Sequence, residues 1–251
     1  MKIKNAIKLK TPEEIEILRK GGKILSSIVQ ELQRSLTPGM TTKAIDQKTE
    51  ALMLRENVTA AFKGYRGFPA ATCISVNQEV VHGIPNNRVI KEGDIVSIDV
   101  GIKYRSYFVD TAISAGIGRL SPESQRLLDV TRESLQRGIN EARAGKHVSD
   151  ISNAIQRYVE SHGFSVVRSF VGHGIGEELH EDPEIPNFGP PNQGPILQEG
   201  MVLAIEPMVN MGRYHTRVLN DGWTVVTEDG KPSAHFEHTI VVTQSAPEIL
   251  T

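Results

Sequence analysis

Two apolar runs, each closed by an acid, set the pattern of this chain. Residues 90–115 read IKEGDIVSIDVGIKYRSYFVDTAISA. A polar lead-in, Lys91-Glu92-Gly93-Asp94, opens onto an apolar stretch that ends at Asp99. A polar bend over 103–106 follows, then a second stretch carrying Asp110. The pattern predicts a hairpin with one carboxylate on each strand. Residues 198–207, QEGMVLAIEP, repeat residues 91–100, KEGDIVSIDV, at a shift of 107 positions, with Glu206 at the place of Asp99. Phe236-Glu237-His238-Thr239 loosely echoes Phe108-Val109-Asp110-Thr111. Each half of the chain therefore offers two acidic strands.

The helical segments repeat as well. Thr11-Pro12-Glu13-Glu14 reads as an N-cap, a proline at the first helical position and a glutamate at the third. Ile15, Leu18, Ile24, Leu25, Ile28, Val29 and Leu32 then recur at roughly helical spacing up to Thr37-Pro38-Gly39. Thr41 or Thr42 opens a second helix with Ile45, Leu52 and Leu54 on its apolar side. Ser121-Pro122-Glu123 repeats the first start, shifted by 110 positions, and Ala144-Gly145-Lys146 repeats the break, shifted by 106. A fourth helix carries Ile151, Ile155, Tyr158 and Val159. Helix, helix, strands, taken twice, predicts an α+β fold with duplicated halves, about 11–118 and 119–251, in one domain over 1–251. The period is too long for a solenoid.

Between these elements lie turn-rich segments. Residues 62–73, FKGYRGFPAATC, place Tyr65 and Phe68 among glycines and a proline. His82-Gly83-Ile84 and His173-Gly174-Ile175 are matched, and the adjoining glycines let a substrate approach each histidine closely. The glycines of 172–176 lack the spacing of a phosphate loop. Residues 181–198 are expected to form a long loop or rim, and Trp223 is read as either core or pocket wall. Residues 2–10 alternate apolar residues with lysine, giving a short edge strand or an arm whose lysines are expected to be solvated.

Composition narrows the picture further. A formal charge of −2 over 251 residues gives no overall attraction to nucleic acid, and 39% hydrophobic residues suffice for a sizeable core. The single cysteine, Cys73, excludes an intrachain disulfide framework and suits a reducing compartment. Neither a signal-peptide core nor a membrane-length apolar stretch is apparent, so a cytoplasmic protein is expected.

Asp99, Asp110, His173, Glu206 and Glu237 gather four carboxylates and one imidazole. Hard oxygen donors suit Mn, Mg or Fe(II), and the imidazole favours a transition metal. Four adjacent carboxylates repel one another, and two divalent cations would cancel their charge of about −4. Two ions ~3.5–4 Å apart share a water and lower its pKa.

With these residues in hand, the chain resembles the methionine aminopeptidases, the bacterial-length type I form of the pita-bread family. The resemblance runs from about Thr11 to Thr243 and is carried by Ile98-Asp99-Val100, Val109-Asp110-Thr111, the 172–176 glycine–histidine segment, Ile205-Glu206-Pro207 and Glu237-His238-Thr239. It implies removal of the initiator methionine from the N-termini of nascent polypeptides, with a preference for a small second residue. By resemblance, Asp99 binds one of two divalent ions (Mn, Fe(II), Co, Zn or Ni), Asp110 and Glu237 bridge both, and His173 and Glu206 complete the other. A metal-bridging hydroxide would attack the first peptide bond, with Glu206 as proton shuttle. His82 would contact the scissile amide, and His180 would help stabilise the tetrahedral intermediate. Tyr65, Phe68, Cys73 and Trp223, with Phe62 and Leu179, match the methionine pocket, whose aromatic wall suits a thioether. The resemblance favours a monomer and leaves contact with the ribosome open; it implies no sequence-specific nucleic acid and no membrane.

Several positions depart from the family pattern. Leu179 stands where an aromatic residue is frequent, Glu177-Glu178 replace a segment often basic in bacterial relatives, and His235 replaces a common glutamine beside the ligands. Two other readings compete: a proline-directed peptidase of the same fold, and a pita-bread protein that only binds. The methionine-pocket set argues against the first and the intact ligand set against the second.

Overall fold

The computed structural model describes residues 7–251. Four helices carry the scaffold: α1 (Pro12–Ser35), α2 (Thr42–Arg55), α3 (Pro122–Glu141) and α4 (Val148–Ser161). Their starts follow local chemistry. Thr11 Oγ1 accepts from the Glu14 amide and Glu14 Oε2 accepts from the Thr11 amide at 2.7 Å, a complete capping box ahead of Pro12. Thr41 caps α2, and Ser121 caps α3 ahead of Pro122. The α1 stripe Leu18, Leu25, Ile28, Val29 and Leu32 is buried. Gly22 interrupts it for a reason of space: a Cβ there would lie 2.1 Å from the carbonyl oxygen of Leu250. The glycine lets α1 approach the C-terminal segment closely.

The main sheet has nine strands and is antiparallel. At its centre lies the expected hairpin, Ile95–Tyr104 with Tyr107–Gly116, followed in space by Glu237–Val241, Val202–Ile205, Gly172–Gly174 and Glu181–Ile185. Register decides which side chains meet, because directly opposed residues share a face and faces alternate along a strand. Asp99 opposes Ala112 and Gly101 opposes Asp110, so the two aspartates lie diagonally on one face. Glu237 opposes the same Ala112, and Thr239 opposes Ala204, which opposes His173. Glu206, two residues beyond Ala204, follows the same alternation. All five candidate ligands therefore belong to one face.

The other face is apolar and carries the helices. Ile98, Val100, Ile102 and Val109 pack in one cluster with Leu25, Ile28, Leu32 and Ile45 of α1 and α2. Leu203, Ile205 and Ile240 pack in a second with Leu127, Leu135, Ile139, Ile151 and Ile155 of α3 and α4. Ile113 touches both clusters. The repeat seen in the sequence also reappears in the turns: Gly93 and Gly200 enter their strands at φ of 89° and 86°, and Gly39 and Gly145 break the helix pairs at 96° and 87°. These are left-handed positions that favour glycine.

Three expectations require correction. Leu54, expected on the apolar side of α2, is 81% exposed, and Met53 is buried in its place. Residues 181–198 are not one long loop, because Glu181–Ile185 is a strand paired with Gly172–Gly174. A proline among polar residues disguised it, and this strand lies at the sheet edge, where proline is tolerated. Of the N-terminal lysines, Lys2 and Lys4 lie outside the described residues and Lys8 is exposed, but Lys10 is buried against Glu181. Residues 7–10 form no strand.

Candidate metal centre and substrate pocket

The acidic face converges on Asp110, His173 and Glu237, whose ligand atoms all lie within 4.8 Å of one another. His173 Nε2 stands 3.5 Å from Asp110 Oδ2 and 3.6 Å from Glu206 Oε1. Its Nδ1 faces the Gly174 carbonyl oxygen at 2.9 Å; donation to that oxygen leaves Nε2 unprotonated and turned to the carboxylates. Asp99 lies on the same face, and its Oδ1 is buried without a hydrogen-bond partner. Asp110 is held in place by Thr239, whose Oγ1 donates to Asp110 Oδ1 at 3.0 Å and bonds its backbone. Thr239 was not among the sequence candidates; its signal is the two-residue spacing from Glu237, which keeps both on one face.

Electrostatics at this face are those of crowded buried acids. Burial pushes Asp99 up to about 8, with Asp110 and Glu206 adding to the shift and His235 opposing it. Burial likewise takes Glu206 to about 8 against the pull of His173. Asp110 is raised by burial, although His173 and Thr239 hold it down in part. Glu237 rises well above the usual carboxylate range through burial and then Asp110, Glu206 and Asp99. Four acids that ionise with such difficulty, beside an orphaned carboxylate oxygen, fit a resident divalent cation, which would supply the missing positive charge. The donor set, oxygen-rich with one imidazole, agrees. His235 adjoins it: its Nε2, also buried and unpartnered, is 3.6 Å from Glu206 Oε2.

The second group of candidates surrounds this face. Cys73 opposes Asp99 in the register, so the thiol side chain borders the carboxylates, and burial raises its pKa strongly, Asp99 adding to it. Phe62, Phe68 and Leu179 are buried in the same apolar cluster as Cys73, and Tyr65 and Trp223 pack against it. Phe68 and Trp223 meet edge to face at 5.1 Å. His82 follows the short strand Glu79–Val81 and takes a left-handed φ of 59°, unusual for a residue other than glycine. Its ring sits 5.4 Å from Phe170 and 6.3 Å from Trp223, and burial lowers its pKa to about 4. Phe170 was not among the sequence candidates; only its nearness to His173 in the chain hints at it. His180 lies on the turn after Gly176, its ring 4.3 Å from that of His173 and 5.2 Å from Tyr65, with Nδ1 2.9 Å from Tyr65 Oη. Glu177 pairs with Lys8, which offsets part of the acidic rim.

Carboxylates and an imidazole on one sheet face, bordered by histidines and an apolar wall, define a metal-dependent peptidase. The signature of metallopeptidase family M24 matches residues 16–244. The chain is 52% identical to methionine aminopeptidase 1 of Bacillus subtilis, over 96% of this chain and 98% of that one. It is also 52% identical to the methionine aminopeptidase of Clostridium perfringens, over 97% and 98%. The crystal structure of methionine aminopeptidase from Thermotoga maritima superposes with a TM-score of 0.96 at 47% identity, covering 98% of this chain and 99% of that one. Prolidase from Pyrococcus furiosus shares the architecture at a TM-score of 0.80 and 25% identity, this chain covering 66% of its length. The chain belongs to metallopeptidase family M24, on its methionine aminopeptidase branch, and its fold is the pita-bread fold. It is a metal-dependent aminopeptidase, a hydrolase.

Proposed function

We propose that this enzyme removes N-terminal methionine from nascent polypeptides and peptides with a small second residue, using two divalent ions held by Asp99, Asp110, His173, Glu206 and Glu237. The observation that carries the reading is the convergence of these carboxylates with His173 on one buried face, bordered by the Tyr65, Phe68, Cys73, Leu179 and Trp223 wall. In this reading Asp99 would serve one ion, His173 and Glu206 the other, and Asp110 and Glu237 would contribute to both. Bound divalent ions supply Lewis acidity and bring the pKa of water toward neutrality.

The chain's own residues do the rest. The apolar wall, Phe62 included, holds the methionine side chain and excludes water from it. Glu206 takes the proton of the attacking water and passes it to the leaving amine. His82, neutral because of its burial, meets the scissile amide. His180 Nδ1 stands 2.9 Å from Tyr65 Oη; with the tyrosine as donor the His180 proton sits on Nε2, where it stabilises negative charge on the tetrahedral intermediate. His235 supports Glu206 from behind.

We place the catalytic domain over 1–251, with halves near 11–118 and 119–251, and read the protein as a cytoplasmic monomer that acts on the N-termini of nascent chains. Among the described residues no helix is long and apolar enough to cross a membrane.

Hydrolysis of Met-Ala-Ser tests the function. Free methionine should appear with Mn(II) or Co(II), stop with a chelator and return with metal. Cleavage of X-Pro peptides in its place, or no cleavage in any metal by folded protein, would overturn the reading.

A further inference from the structure

We propose that Lys10 is a positioning residue for the reaction: its ammonium anchors the turn over 176–181 that carries Leu179 and His180. The proposal rests on the reading of those two residues given above. Leu179 is buried in the pocket cluster, whereas His180 sits at the exposed end of the turn, so its placement needs an anchor.

Lys10 supplies one. Its side chain is 1% exposed, and Nζ stands 2.6 Å from Glu181 Oε2, itself 10% exposed. The other oxygen of the same carboxylate, Oε1, accepts the backbone amide of Glu178 at 3.1 Å. One carboxylate thus ties the lysine to the end of the turn at Glu181 and to its middle at Glu178. The lysine stem lies against bare backbone at Gly176, where a Cβ would come 2.3 Å from Lys10 Cε. Gly176 in turn accepts from the Phe108 amide at 2.7 Å and donates to the Glu178 carbonyl at 3.1 Å, which joins the turn to the strand bearing Asp110.

The backbone of Lys10 is fixed from the other side. Its amide donates to the Gly200 carbonyl at 2.8 Å, in the turn that opens the strand before Glu206. A single residue therefore connects the His180 turn to the approach to Glu206. The neighbouring Lys8–Glu177 pair runs alongside, but both side chains are about half exposed, and such pairs contribute little. The Lys10–Glu181 pair is different because it is buried: removing one partner leaves the other as an uncompensated charge, whereas removing both does not.

That asymmetry gives the test, made on the full chain with Mn(II). Lys10→Met should lower kcat/KM for Met-Ala-Ser at least about tenfold, the scale expected when a catalytic group is misplaced by a fraction of an ångström to an ångström. Mn(II) binding by calorimetry should stay within about threefold, since no ligand lies on the turn. Amide hydrogen exchange should accelerate over 176–181 and stay unchanged in α3. The double variant Lys10→Met/Glu181→Gln should recover kcat/KM and protection to within about threefold of wild type. Unchanged exchange over 176–181 in Lys10→Met, unchanged kcat/KM, or a double variant no better than the single would each overturn the proposal. If Lys10→Met does not fold, the double variant decides: folded with near-wild-type kcat/KM supports the anchor, and folded with a tenfold loss overturns it. Absence of wild-type hydrolysis would instead refute the function, while the exchange measurement would still report on the anchor.

Discussion

Asp110 joins several parts of the site: it faces His173, groups with Glu237 and is oriented by Thr239. Asp110→Asn keeps the shape and one oxygen but removes a charge. We expect Mn(II) affinity to fall at least about tenfold, together with activity, because cation binding at such a face depends on its total negative charge. Calorimetric titration checks this, and undiminished metal occupancy at low micromolar metal would remove Asp110 from the proposed ligand set. His82→Ala separates chemistry from metal binding. The ring is aimed by Phe170 and Trp223 and touches none of the ligands, so kcat should drop about a hundredfold with metal content near normal. Metal analysis beside steady-state kinetics decides it; a kinetic effect under threefold would remove His82 from the reaction.

Elements were legible where local chemistry alone determines them. The Thr11 box, Pro12, and the caps at Thr41 and Ser121 stand next to the helices they start, so helix positions follow from a few adjacent letters. The hairpin was legible because ten-residue strands carry enough pattern, and its two acids were visible as polar interruptions in apolar runs. The 181–185 strand was hidden because its pairing with Gly172–Gly174 is tertiary and its own letters include a proline. The burial of Lys10 was hidden for the same reason: its partner lies 171 positions away. The left-handed backbone at His82 left no trace either, since the sequence shows only that glycine follows it. Gly22 falls between these cases. It reads as a weak spot in a helix, and its purpose appears only beside Leu250. Gly22→Ala should therefore destabilise despite alanine's better helix propensity, by about 2–3 kcal/mol, because backbone or helix must shift to admit the methyl. Urea unfolding measures this, and a stabilised variant would show that the C-terminal segment yields freely.

On the scale of the whole molecule, the acidic face couples metal, pH and stability. Asp99 and Glu206 are raised to about 8, with Asp110 and Glu237 also raised. A carboxyl that holds its proton when folded and ordinarily releases it near 4 when unfolded stabilises fully below 4, and that stability is lost as pH rises through the folded value. The buried histidines act in the opposite sense. His82 is lowered to about 4, and His235 and His238 are lowered too, so their stability grows as pH rises and is complete a little above their ordinary value of about 6.5. Acids lowered by surface partners, such as Glu14 and Glu248, have made their whole contribution by then. Between pH 7 and 8.5 the acidic cluster slopes the curve downward, joined toward 8.5 by Cys73, whose buried thiol keeps its proton while an unfolded thiol begins to lose it. Chelated enzyme should therefore lose thermal stability across that interval. With metal the order reverses, since cations bind the deprotonated carboxylates and each ion at a hundred times its Kd adds about 2.7 kcal/mol. The melting temperature measured with EDTA and with Mn(II) at pH 7 and pH 8.5 should thus separate more widely at the higher pH. Parallel curves would mean that the carboxylates are already ionised in the chelated fold, and that something other than metal neutralises them.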